Sequence, residues 1–204
     1  VGVPLVGPSA NKSGKPSPTC VRHVLADLET EIAAVVDGGT TPLGVESTLV
    51  DVTVTSPRIL RIGAVSRAEL EAVAGPVETA PSAAPAGHYA HYKTEAPVWR
   101  LDGDDRAARV RRWLLHAPRP AGLLLSDETI DGIGDIPADV RVWNMGSLSR
   151  PDEAAHRLFD GLRRLDAFGC RAILADSWPR EGLGEALMNH IDLIAAPLNE
   201  EEAP

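Results

Sequence analysis

From Val98 onward, short apolar runs alternate with longer amphipathic ones, and no other feature of the chain constrains its fold as much. Val98 to Leu101, Ala121 to Ser126, Val140 to Asn144 and Ala172 to Ala175 read as strands. The stretches from about Asp104 to His116, from Pro151 to Phe168 and from about Gly184 to Ala195 read as helices. Strands alternating with helices argue a parallel sheet covered by helices. The expected class is α/β, with residues 98–204 forming a small Rossmann-like parallel-sheet domain.

Upstream the character differs. Gly75 to Pro97 holds four prolines, several alanines and no apolar periodicity, so residues 76–97 are expected to form an extended linker. Residues 1–75 read as part of another α/β unit. The apolar run Val1 to Val6 suggests a buried strand, and Ser17-Pro18 suggests the cap and first turn of a helix carrying Val21, Val24, Leu25 and Leu28. Ile32 to Val36, Thr48 to Thr53 and Arg58 to Ile62 are further strand candidates. Ser66-Arg67-Ala68-Glu69 has the capping-box pattern, with Leu70 and Val73 as the apolar face of a short helix.

Composition narrows the function classes. The chain has 204 residues, 44% hydrophobic and 4% aromatic, with net charge −9. Such an acidic field repels phosphate backbones, which argues against direct tRNA binding unless a local basic patch exists. Cys20 and Cys170 stand far apart and read as reduced thiols. No apolar stretch reaches the ~20 residues of a membrane span and no signal peptide is visible, so a cytoplasmic protein is the expectation. Of the six histidines only His88 and His91 are close, which is no basis for a metal site. Gly182-Leu183-Gly184 lacks the remaining features of a phosphate-cradling turn and reads as a glycine-rich helix start.

Four places carry residues suited to chemistry. Ser9, Ala10 and Asn11 lie in the block Gly7-Pro8-Ser9-Ala10-Asn11-Lys12-Ser13-Gly14, where hydroxyl, amide, backbone N–H and a cation can converge on an anion at a strand end. The same residues also make an ordinary turn that satisfies its own backbone. Ser47 and Thr48 stand at a strand entrance, able to offer hydroxyls to a small ligand. Arg61 ends the run Ile59-Leu60 and precedes Ile62-Gly63, leaving room for a phosphate to meet guanidinium and backbone together. His88, Tyr89, His91 and Tyr92 concentrate both tyrosines of the chain in the linker, which suggests a segment docked on a surface or a ligand.

In this order the strings Gly-Pro-Ser-Ala-Asn-Lys-Ser-Gly, Gly-Val-Glu-Ser-Thr-Leu-Val-Asp, Arg-Ile-Leu-Arg-Ile-Gly and His91-Tyr92 with Ala96-Pro97 resemble the C-terminal portion of Sua5-type threonylcarbamoyl-AMP synthases. Leu162 to Asp166, Ala172 to Ala175 and Glu181 to Gly184 extend the resemblance over almost the whole chain. It implies an incomplete YrdC-like catalytic domain at 1–75, a linker at 76–97 and a Sua5 C-terminal domain at 98–204. The implied reaction joins L-threonine, bicarbonate and ATP, with Mg2+ accompanying the ATP, into L-threonylcarbamoyladenylate and pyrophosphate. The product would pass to a tRNA-modifying threonylcarbamoyltransferase acting on the adenosine beside the anticodon. The resemblance also carries double-stranded RNA binding, against which the acidic charge stands.

By motif, Ser9, Asn11 and Ser17 would line the ATP side, Gly7 and Ser47 would face threonine, and Arg61 would meet the nucleotide phosphate. Tyr89, His91 and Tyr92 would form a lid over the nucleotide. The family's Lys-x-Arg motif has no counterpart before Ser9, and Val1 is not a start methionine, so the expectation is a partial site, inactive alone, that lacks ~130 preceding residues. Two departures fall in the linker, where Pro85-Ala86-Gly87 replaces Pro-Gly-Met and Thr94 replaces a proline. The alternatives are a fragment that binds nucleotide or a partner without catalysis, and a carbamoyltransferase-type YrdC-like domain.

Overall fold

A computed structural model describes residues 2–4, 6–80 and 93–198; Tyr89, His91 and Tyr92 lie outside the described residues. Along the chain come α1 (Val21–Leu28), β1 (Leu49–Asp51), β2 (Arg58–Arg61), α2 (Arg67–Ala74) and β3 (Glu78–Thr79). Then follow β4 (Val98–Leu101), α3 (Arg106–Leu114), β5 (Ala121–Leu125), α4 (Asp127–Ile133), β6 (Val140–Asn144), α5 (Pro151–Phe168), β7 (Ala172–Asp176), α6 (Leu183–Ile194) and β8 (Ala195–Pro197). The last five strands make one sheet in the order β6-β5-β7-β4-β8, parallel at every pairing.

Both faces of this sheet are covered, which is why its strands read as unbroken apolar runs. Leu123, Leu125 and Leu174 point to Val110, Trp113 and Ile133 of α3 and α4. Leu124, Ile173 and Ala175 point the other way, into the cluster with Leu158, Leu162 and Leu187 of α5 and α6. Helix α5 holds a continuous buried stripe through Ala154, Leu158, Leu162 and Leu165, starts on Pro151 and ends on Gly169 in the left-handed conformation. Each leucine so buried stabilises the fold by about 1.5–3 kcal/mol relative to exposure.

The N-terminal part departs from its sequence pattern. Residues 2–4 and 6 are irregular, with Val3 64% and Val6 94% exposed, not a buried strand. Ile32 to Val36 is likewise irregular, with Val36 93% exposed. An apolar run becomes a strand only beside a neighbour that takes its backbone bonds, and among the described residues neither run has one. The helix begins at Val21 after Cys20, not at Ser17-Pro18. The Ser17 hydroxyl is spent on the Glu46 carboxylate at 3.1 Å, and the Thr19 N–H donates to the His23 ring at 3.1 Å, so tertiary bonds displace the local cap.

The capping box of α2 is present as read, with the Ser66 and Glu69 side chains reciprocally bonded. Both ends of the 76–97 range make contacts with the flanking parts. Glu78 and Thr79 pair with Arg58 and Ile59 as a parallel edge strand, helped by the exposed Arg58–Glu78 pair at 3.1 Å. At the other end Ala96 is buried in the α5–α6 core, and the Glu95 N–H donates to Asp166 at 3.1 Å. Helix α4 and strand β8, absent from the sequence reading, complete the sheet's covering and edge. Both cysteines are free, and burial pushes the Cys170 thiol up.

The two parts meet along α1 and α5. Arg163 pairs with Asp27 at 2.7 Å, with side chains 11% and 8% exposed, and donates from Nε to the Pro16 carbonyl at 3.0 Å. His23 and Asp160 approach to 2.9 Å. Gly44 has φ +69°, and a Cβ there would sit 2.4 Å from the His156 Cα, so the chain can lie on α5 at this point only without a side chain. Val45 beside it packs against the α5–α6 core.

The Arg163 guanidinium holds the Asp27 carboxyl below its ordinary value of 3.8, and burial holds His23 below its ordinary 6.5. Both folded values are depressed, so their contributions are present above the ordinary pKa values and lost as pH falls through the folded ones. Arg163→Ala leaves a buried lone carboxylate and is expected to cost about 3 kcal/mol at neutral pH. Urea denaturation from pH 7 down to 3 should show that loss shrinking once Asp27 can protonate; an unchanged midpoint at pH 7 would contradict this role for the pair.

Candidate active site

Strand β1 is joined to β2 by antiparallel pairing, with a register shift between Leu49 and Val50. Just before β1, Thr48 acts as a staple. Its Oγ1 donates to the Val65 carbonyl at 2.6 Å and accepts from the N–H groups of Gly63 and Val65, both at 3.1 Å. Gly63 lies so close beneath this segment that a Cβ would be 2.3 Å from the Glu46 carbonyl oxygen. The Glu46 carbonyl in turn accepts from the Ala64 N–H at 3.0 Å. These contacts fix residues 46–48 against the end of β2.

Three of the residues singled out in the sequence converge there. Arg61 Nη1 reaches Glu46 Oε2 at 2.6 Å, and Arg61 Nε donates to the Ser47 carbonyl at 3.2 Å. The Ser17 hydroxyl donates to the other Glu46 oxygen at 3.1 Å. The Arg61 and Glu46 side chains are about one third exposed, at 33% and 31%, so solvent and solutes reach them. Glu46 itself was missed by the sequence reading. Its signal was an acid set between Val45 and Ser47 inside the quoted motif, where a strand entrance has little local use for a charge.

Helix α6 brings His190 toward the same place. Burial pushes its imidazole down, the Glu46 charge opposes that shift and the Arg61 charge reinforces it. His190 is 4% exposed and packs edge-on against Phe159 at 5.3 Å. The C-terminal part thus lies against this place, its α5–α6 core receiving Val45 and its His190 feeling the charges of Glu46 and Arg61.

The Ser9 loop is arranged differently from its sequence reading, because it does not follow a strand. Gly7 and Ser9 are exposed. The Asn11 side-chain amide donates to the carbonyls of Lys12 and Lys15 at 2.9 and 3.1 Å, closing a local turn, while its Oδ1 is buried without a hydrogen-bond partner. The loop is tied across to the far side of the linker, since Lys93 N–H donates to the Gly14 carbonyl at 2.9 Å and Lys15 meets Glu95 at 2.5 Å. That exposed pair raises the Lys15 pKa and lowers that of Glu95. At the start of α6 a Cβ on Gly184 would lie 2.0 Å from the Pro179 carbonyl, a packing reason for that glycine.

Among the described residues no group of three or more His, Cys, Asp or Glu is placed to hold a metal, and no helix is long and apolar enough to cross a membrane. Around Glu46 one guanidinium and one hydroxyl, held at a strand end and reachable from solvent, donate to a carboxylate, the donor chemistry that also suits other anions.

A family model described as the C-terminal domain of threonylcarbamoyl-AMP synthase matches residues 65–195, and one described as telomere recombination matches residues 1–63. The chain is 35% identical over 199 residues to the threonylcarbamoyl-AMP synthase of Bacillus subtilis, covering 93% of this chain and 56% of that protein. It is 36% identical over 198 residues to the protein of the same name from Pyrococcus abyssi, covering 92% of this chain and 56% of the relative. The crystal structure of P. abyssi Sua5 complexed with L-threonine matches with a TM-score of 0.76 at 33% identity, over 94% of this chain and 59% of that one. The chain spans a little over half the length of the curated relatives it matches.

Removing the staple tests how this arrangement is held. Thr48→Val deletes one donated and two accepted hydrogen bonds and should lower stability by about 2 kcal/mol, whereas Thr48→Ser retains most of it. Denaturation of the two variants side by side checks this, and equal losses would mean that the hydroxyl is not what fixes the segment.

Proposed function

The chain belongs to the threonylcarbamoyl-AMP synthase family through its C-terminal domain, and from that membership we propose that it forms part of an L-threonylcarbamoyladenylate synthase. The reaction joins L-threonine, bicarbonate and ATP, with Mg2+ as part of the ATP substrate. In the adenylation step a carboxylate oxygen of the threonine-derived carbamate displaces pyrophosphate from the α-phosphorus. Such a step asks the protein for positioning and for neutralisation of charge on the departing pyrophosphate, more than for covalent chemistry. The product then serves a tRNA-modifying threonylcarbamoyltransferase, in the cytoplasm.

The observation that carries this reading is the meeting of Ser17, Ser47 and Arg61 at one solvent-reachable point. In the proposal Arg61 contacts the nucleotide phosphate and Ser17 lies beside it. Ser9 and Asn11 line the ATP side, and the buried, unpartnered Oδ1 of Asn11 supports that place by offering an acceptor. Ser47 and the Gly7 backbone face threonine, and Tyr89, His91 and Tyr92 close over the nucleotide. Val3, Val6, Val36 and Val52 leave more than half of their surface exposed. In the proposal the remaining wall of the catalytic domain, with its basic groups, lies outside these 204 residues.

The test is threonine-dependent release of pyrophosphate from ATP by the full-length protein that carries this chain. Arg61→Ala should lower turnover by about 10²- to 10³-fold, the range seen when one preorganised charge donor is lost. A full-length protein without threonine-dependent release would end the proposal. The 204-residue chain alone should show weak or no ATP binding in calorimetry and no turnover; synthesis by it alone would overturn the claim that part of the site lies elsewhere.

A further inference from the structure

We propose that Glu46 is the internal counter-ion of an anion slot: its carboxylate holds Arg61 and Ser17 in the free protein and yields the guanidinium to a nucleotide phosphate on binding. The inference rests on the reading that Arg61 meets phosphate, and deepens it by assigning a positioning residue.

The geometry is that of an occupied slot. Glu46 presents one oxygen to Arg61 at 2.6 Å and the other to the Ser17 hydroxyl at 3.1 Å. A phosphate takes the same donors, guanidinium and hydroxyl, through two of its oxygens. The carboxylate is therefore a covalently tethered stand-in for the ligand.

Glu46 is also held where it stands. Its carbonyl accepts from Ala64, Val45 is packed into the α5–α6 core, and Gly44 lies directly on α5. A side chain fixed at its base by the C-terminal part keeps its effective concentration at Arg61 high, which prevents the guanidinium from wandering. The buried His190 of α6 lies near enough to feel the charges of both Glu46 and Arg61.

Exposure separates this pair from the structural one. Arg163 and Asp27 are 11% and 8% exposed, whereas Arg61 and Glu46 are 33% and 31% exposed. A pair that keeps a third of its surface in water is weakly held and exchangeable, while a buried one is not. A triphosphate carries several negative charges against the single charge of Glu46, so the exchange favours the ligand.

Glu46→Gln keeps the size and the acceptor oxygen for Ser17 and removes the charge. In calorimetry with ATP on the full-length protein, it should lower Kd about fivefold, the worth of a partly exposed ion pair expressed as affinity. KM for ATP should fall by more than kcat changes. A side chain that merely supported the fold would instead raise both Kd and KM, and an unchanged or raised Kd in a folded Glu46→Gln protein overturns the proposal. Should that variant melt, Glu46→Asp retains the charge but shortens the reach to Arg61, and it must also tighten ATP binding. Arg61→Ala separates the two readings: if it leaves ATP binding unchanged, the phosphate role of Arg61 is wrong. If it weakens ATP while Glu46→Gln does not tighten it, the counter-ion role alone is wrong.

Discussion

The guanidinium of Arg163 is the interaction on which the rest of the N-terminal part depends. It neutralises Asp27 on α1 and takes the Pro16 carbonyl at the base of the Ser9 loop, so one side chain of α5 sets both the helix and the loop ahead of it. Burial makes the pair costly to break and so gives it control over orientation. Once α1 lies on α5, His23 reaches Asp160, and Ser17 is delivered to Glu46. The candidate site is therefore shaped from outside its own strands, by a helix of the following part.

How much of this the sequence disclosed follows from where each element gets its stability. The β/α series after Val98 was legible because its strands are buried on both faces and its long helix α5 has a regular apolar stripe. Helix α4 was missed because its seven residues, DETIDGI, carry three acids and a glycine, and its cap at Ser126 is the main local signal. Val1 to Val6 and Ile32 to Val36 misled for the opposite reason. Their composition is that of strands, but a strand is a property of a pair, and composition says nothing about the partner.

The site was legible in part. Ser47 and Arg61 could be named from residue type and position, Ser17 only through the family motif, and the structure brings the three together. Glu46, which does the joining, could not, because an acid amid hydroxyls has many uses and its partner lay 15 residues downstream beyond a turn. Of the two readings that the Ser9-Ala10-Asn11 block allows, a ligand loop at a strand end and a turn that satisfies its own backbone, the structure shows the local turn, with the Asn11 amide donating to the Lys12 and Lys15 carbonyls. His190 gave no sign at all, since a histidine on an apolar helix face is read as core until the fold shows what lies across from it.

The seat of α1 on α5 also has a consequence in time. The Asp27–Arg163 contact joins residues 136 positions apart, so most of the chain is made before it can form. At the ~5–20 residues per second of translation, the first loop waits on the order of ten seconds for the helix that shapes it. During that interval Asp27 and the Pro16 carbonyl lack the Arg163 side chain that later pairs with them. The arrangement around Glu46 is thus completed late in the life of each new molecule, once helix α5 has been made.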